Sequence, residues 1–294
     1  MAEQKIEFRK TRDFGENLND TFAFIWLNFK PLFKSFFAIC AIFMLTQAIL
    51  EGLYGPDYSA FWDLIYSRKN YRSGFRNHFL DFQYYLVRVL KWLTFVSLQV
   101  SLVAYIKYYV ENNGKKPGIE EVWSIFRKYF FKILLLGLPV TIMVVLGLVL
   151  CIVPGIYLSV VFTPFAIIAM IENTSTADTY SRCFDLIRNN FWLSFLIYFV
   201  VIIIYLISSL LTGFVISGIT EFINYFTTYN LTTTIGILTS FFKIFSYCFY
   251  IIVPVSVALQ YYSMAEKKEG TGIIDRINKI GNYKNAAENA GDEY

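Results

Sequence analysis

Six stretches of this chain are almost unbroken runs of apolar residues, at about 33–53, 90–109, 133–153, 156–171, 191–211 and 235–259. A helix needs about 20 such residues to cross a bilayer, so each run predicts a transmembrane span. The fourth is the shortest, and Pro164 predicts a kink within it. Ahead of each odd-numbered span the pattern changes from continuous to periodic. Phe14, Leu18, Phe22, Ile25 and Phe29 share one helical face, opposite Glu16, Asn17 and Asp20, and Asp13 with Glu16 forms a capping-box pattern. After Pro117, the residues Ile119, Val122, Trp123, Phe126 and Phe130 make a second stripe, with Glu120 and Glu121 in the favoured first turn. Ser175 or Thr176 caps a third, whose stripe is Ala177, Tyr180, Phe184, Ile187 and Phe191.

The expected fold is therefore an all-α integral membrane protein. Its six transmembrane helices form three hairpins, each preceded by an interfacial amphipathic helix on the cytoplasmic side. Short identities, Asp20-Thr21-Phe22 against Asp178-Thr179-Tyr180 and Asn28-Phe29 against Asn190-Phe191, suggest a threefold internal repeat. Residues 1–263 are read as one membrane domain. Residues 264–294 are read as a polar cytoplasmic tail, with a short surface helix at Ile273–Ile280 and disorder beyond it. The loop between the first two spans is aromatic and basic.

Composition agrees with that picture: 56% of residues are hydrophobic and 16% charged, where a soluble domain carries about a quarter charged. The net charge of +4 matters less than its distribution. With both termini inside, sixteen Lys and Arg fall in inner segments, against Arg68, Lys69, Arg72 and Arg76 outside. That orientation obeys the positive-inside rule. Residues 1–28 have no compact apolar core with a cleavage site, so the first span is expected to remain in the mature protein.

Reactive chemistry is sparse. His78 is the single histidine, and Cys40, Cys151, Cys183 and Cys248 have no paired spacing, so neither metal site, cofactor site nor catalytic residue is expected. Cys183 is read as an inert thiol on an exposed helix. Lys243 lies inside the sixth span, where a cation costs about 2.5–3.5 kcal/mol, so it must pair, with Glu51 as partner, or snorkel to the headgroups. Gln47 and Gln99, with Ser97 and Ser101, either line a polar path or tie helices together. Phe22, Trp26, Trp123, Phe126, Phe184 and Trp192 are the candidate interfacial collar, and Pro154-Gly155 the turn between spans three and four.

From Val153-Pro154-Gly155-Ile156-Tyr157-Leu158, through Glu172 and Arg182-Cys183-Phe184-Asp185-Leu186, to Asn190-Phe191-Trp192, the chain resembles a bacterial family. It is similar there to the membrane domain found beside some glycerophosphoryl diester phosphodiesterases and to its YciC-like stand-alone relatives. Cys183 departs from the serine usual at its position in that family. The resemblance implies a bacterial six-helix membrane domain without phosphodiesterase activity, since the catalytic barrel of those proteins is a separate domain. The expected function is that of a non-enzymatic inner-membrane protein that organises lipid or a membrane-protein partner, with no nucleic acid involved. The alternative is a transporter or channel for a small or lipid-like solute. A water-filled cavity at Lys243, Glu51 or Gln99 would favour transport, and a tightly filled bundle the organiser.

Overall fold

A computed structural model describes residues 5–54, 82–226 and 240–270. His78, the first loop's arginines and lysine, and the segment expected to form a tail helix lie outside the described residues. The described chain is helical without strands: α1 (Phe14–Leu27), α2 (Phe29–Tyr54), α3 (Phe82–Glu111), α4 (Ile119–Leu150) and α5 (Ile152–Phe162) are followed by α6 (Phe165–Ile171), α7 (Thr176–Ile187), α8 (Phe191–Phe226), α9 (Ser246–Tyr250) and α10 (Ile252–Glu269). Among the described residues, six stretches are long and apolar enough to cross a membrane: Phe29–Leu53, Tyr85–Glu111, Ile119–Leu150, Ile152–Ile171, Phe191–Ile216 and Ser240–Glu269. The protein is thus an all-helical, multi-pass integral membrane protein.

Local chemistry sets the helix ends. Asp13 caps α1 by accepting from the Glu16 amide at 2.8 Å, and the Glu16 carboxylate reaches back to the Asp13 amide, closing the capping box. Ser175 caps α7. Pro164, which cannot donate a backbone hydrogen bond, separates α5 from α6. Before the first and third hairpins the chain breaks into a separate short helix, at Asn28 and at Arg188–Asn190. Before the second it does not: α4 runs as one helix from Ile119 through the third span. The last helix continues through Met264 and Glu266, both buried, so ordered helix extends past residue 263.

The core forms where α2, α3 and α4 pack together and where α10 packs on α1, α3 and α8. Phe24, Leu32, Phe36, Leu98, Leu102 and Tyr105 are among its largest fully buried side chains. Phe8, ahead of α1, is also buried and meets the rings of Phe24, Tyr109 and Tyr262 edge-on at 5.2, 6.0 and 5.4 Å. Lys5 donates to the Asn113 carbonyl at 2.8 Å, and the Arg12 amide donates to Ser263 at 2.8 Å. The N-terminal segment, the 112–118 loop and the end of α10 therefore share one end of the bundle, termed proximal below. The ends of α2 and α4 lie at the distal end.

The reversal between spans three and four differs from the sequence expectation. The bend is at Cys151, whose backbone is extended, while Pro154 and Gly155 sit inside the first turns of α5. Proline is tolerated there because a first-turn amide has no helical acceptor to lose. Gly155 is buried against α4. A Cβ on it would lie 2.5 Å from the Leu148 backbone nitrogen, and one on Gly147 would lie 3.0 Å from the Gly155 Cα. Backbone-to-backbone packing of this kind is how membrane helices gain van der Waals contact when lipid offers no hydrophobic drive.

Candidate functional site

At the distal end, Glu51 in the last turn of α2 is 4% exposed, and the Lys243 ammonium donates to its Oε1 at 2.5 Å. The Lys243 side chain is 19% exposed. Gln47, one turn below Glu51, donates to Glu51 Oε2 at 3.4 Å and accepts from the Tyr247 hydroxyl at 2.9 Å. The Tyr247 ring meets Phe95 edge-on at 5.6 Å. Of the four intramembrane polar residues singled out from the sequence, three thus form one connected chain. Gln99 is half-buried and makes no hydrogen bond within this network. The network joins α2 to Lys243 ahead of α9 and to Tyr247 within α9, and the buried carboxylate is met by a cation.

At the proximal end the collar aromatics divide. Trp26 is 82% and Trp192 78% exposed, and Phe22, Trp123 and Phe184 are exposed as well. Phe126 is instead buried, with Trp123 stacked on one side at 5.5 Å and Phe130 on the other at 5.0 Å. It belongs to the core, because α4 turns that face toward α2 and α3.

What the sequence reading missed is on the inward faces. Asn17, expected opposite the working face of α1, is fully buried: it accepts from the Ser256 hydroxyl at 2.8 Å and donates to the Ser256 carbonyl at 3.4 Å. Thr21 and Asn28, on the same face, are buried too, and Tyr105 donates to Asn28 at 3.2 Å. Gln260 donates to Ser194 at 3.1 Å. Arg12 is enclosed. It pairs with Asp20 at 2.8 Å, donates to the carbonyls of Phe8 at 2.8 Å and Lys10 at 3.1 Å, and reaches the Glu7 carbonyl. A signal existed: Asn17, Thr21 and Asn28 fall at helical spacing, a row of small polar groups beside the aromatic one.

A second cluster ties α7 to α10. Glu172 accepts from Arg182 at 3.0 Å and from the Tyr261 hydroxyl at 2.9 Å; Arg182 also pairs with Glu269, and Lys268 with Asp185. The Lys268 hydrogen bond holds the Asp185 carboxyl below its ordinary range. Cys183, expected on an exposed helix, is fully buried, and burial, reinforced by the nearby Glu172 charge, pushes its thiol up to about 12. Among the described residues, no three His, Cys, Asp or Glu side chains converge as a metal ion would require. Comparison of the chain with protein-family models, with curated proteins and with solved structures finds no match.

Proposed function

We propose that this protein is a non-enzymatic organiser of membrane lipid or of a membrane-protein partner, seated in a bacterial inner membrane with both termini in the cytoplasm. The observation that carries the reading is the contrast between a filled centre and an outward aromatic rim. Phe24 and Tyr105 near the proximal end and Phe36 and Leu98 further along are fully buried between helices, and the buried Glu51 is paired with Lys243. Trp26 and Trp192, the costliest side chains to leave in water, turn outward at the helix breaks. Amphipathic tryptophan at this position suits a headgroup layer. The sixteen Lys and Arg counted in the inner segments of the sequence support the orientation.

The experiment is solvent access in a cysteine-free background reconstituted in proteoliposomes. Gln47→Cys and Gln99→Cys are expected to resist a water-soluble methanethiosulfonate reagent, while Asn113→Cys reacts only from the cytoplasmic side. Rapid reaction of Gln47→Cys from outside, in a folded protein, would replace the organiser with the transport reading.

A further inference from the structure

We propose that the proximal part of α4 carries a binding site for the phosphate headgroup of an anionic phospholipid, formed by Lys128 and Lys132 with Arg127 at its rim. The proposal deepens the lipid-organising reading and takes its meaning from it. Three ammonium groups converge on one buried ring: Lys107, Lys128 and Lys132 lie 5.7, 5.3 and 5.9 Å from the centroid of Tyr129. Glu111 pairs with Lys107 at 2.9 Å. Lys107 also donates to the Met170 carbonyl at 2.8 Å, and Lys132 to the Thr174 carbonyl at 2.7 Å, so these two are anchored on the end of α6 and the loop after it. Lys128 makes no hydrogen bond or ion pair among the described residues and is exposed.

Lys128 and Lys132 are four residues apart on one helix face, where like charges repel. Three cations with one carboxylate leave an excess of positive charge, held close together by the Tyr129 ring and the α6 carbonyls. An anion arriving between Lys128 and Lys132 relieves that repulsion, and a phosphate diester offers oxygens to both.

The lipid, rather than free phosphate, follows from the next turns of α4. Because α4 is unbroken here, its exposed face passes directly from Arg127 and Lys128 to Phe131, Leu135, Leu138 and Ile142, all exposed. A headgroup held by the cations has its acyl chains along that stripe. At the equivalent places before the first and third hairpins the chain breaks, and no such straight path exists.

The test uses the full chain, delipidated in a neutral detergent and melted with added phosphatidylglycerol, phosphatidylcholine or inorganic phosphate. Phosphatidylglycerol is expected to raise Tm by several degrees at concentrations where the other two raise it little. The exposed-residue variant Lys128→Gln is expected to lose most of that increment while its Tm in phosphatidylcholine stays at wild type, and Lys128→Arg to restore it. Lys30→Gln, a basic residue elsewhere at the proximal end, should keep it. An equal increment from phosphatidylcholine in the wild type, an unchanged increment in Lys128→Gln, or a full increment from inorganic phosphate overturns the site. Those failures leave the organiser reading standing, because its own test is solvent access at Gln47 and Gln99.

Discussion

Removing either partner of the Glu51–Lys243 pair should have unequal effects, and the inequality can be worked from their surroundings. Deleting one member of a buried pair costs about 3–5 kcal/mol, because the survivor is left charged and unpaired. Lys243→Met leaves Glu51, 4% exposed, with the long 3.4 Å contact from Gln47 and the more distant charge of Lys91 among the described residues, so it should fall toward the lower end of that range. Glu51→Gln leaves Lys243, whose side chain is 19% exposed and flexible enough to carry its ammonium toward water. The new amide also keeps an oxygen for Gln47, so the cost should be about 1–2 kcal/mol, in the range of one lost hydrogen bond. Polar contacts inside membrane proteins average about 0.6 kcal/mol in double-mutant cycles, so a pair that follows this reasoning must exceed that value clearly. The assay is reversible unfolding in mixed micelles for wild type, both single variants and Lys243→Met with Glu51→Gln. The double variant should be more stable than Lys243→Met alone. Strict additivity of the two single effects, or a Glu51→Gln cost at or above that of Lys243→Met, would refute the reasoning.

Gly155→Ala should destabilise by about 1–3 kcal/mol in the same assay, because its methyl meets the Leu148 backbone, whereas Gly213→Ala, with no atom within 4 Å of the added carbon, should be neutral or slightly stabilising. Native protein treated with maleimide at neutral pH should modify exposed Cys151 and spare buried Cys183 until unfolded. The folded Cys183 thiol titrates near 12 against an ordinary 9, so its contribution to stability should be intact below about 9 and fall as pH rises toward 12. Cys183→Ala should lose the thiol's share of that alkaline slope and leave the share of tyrosines such as Tyr180, whose hydroxyl burial also pushes up, and an unchanged slope would mean the thiol is not a group responsible.

The six spans were legible because bilayer thickness imposes a length that few other structures need, and the capping box and Pro164 break because their causes are local. The inward faces were not legible for a physical reason. In water, the apolar stripe of a helix marks its buried side; in lipid, both surroundings of a helix are apolar, and packed interiors collect small polar groups instead. So α1 presents Phe22 and Trp26 outward and buries Asn17 and Thr21, and a stripe weighed only by hydrophobicity points away from the bundle. The Glu51–Lys243 pair could be named from the sequence, since a lone cation in a span demands an answer. Arg12 gave no such warning, because nothing in its flanking residues marks a segment that folds back under the helices.

The partnership of α1 with α10 joins the first and the last of the described helices. Asn17 and the Arg12 amide wait for Ser256 and Ser263, which leave the ribosome some 240 residues later. Hairpins enter a membrane as they are synthesised, so α2 and α3 can settle early while α1 remains without its counterpart. The bundle closes like a clasp, only once α10 has been made. Chains interrupted before α10 therefore leave the Asn17 side chain without Ser256 and the Arg12 amide without Ser263, while the Arg12 guanidinium already holds Asp20.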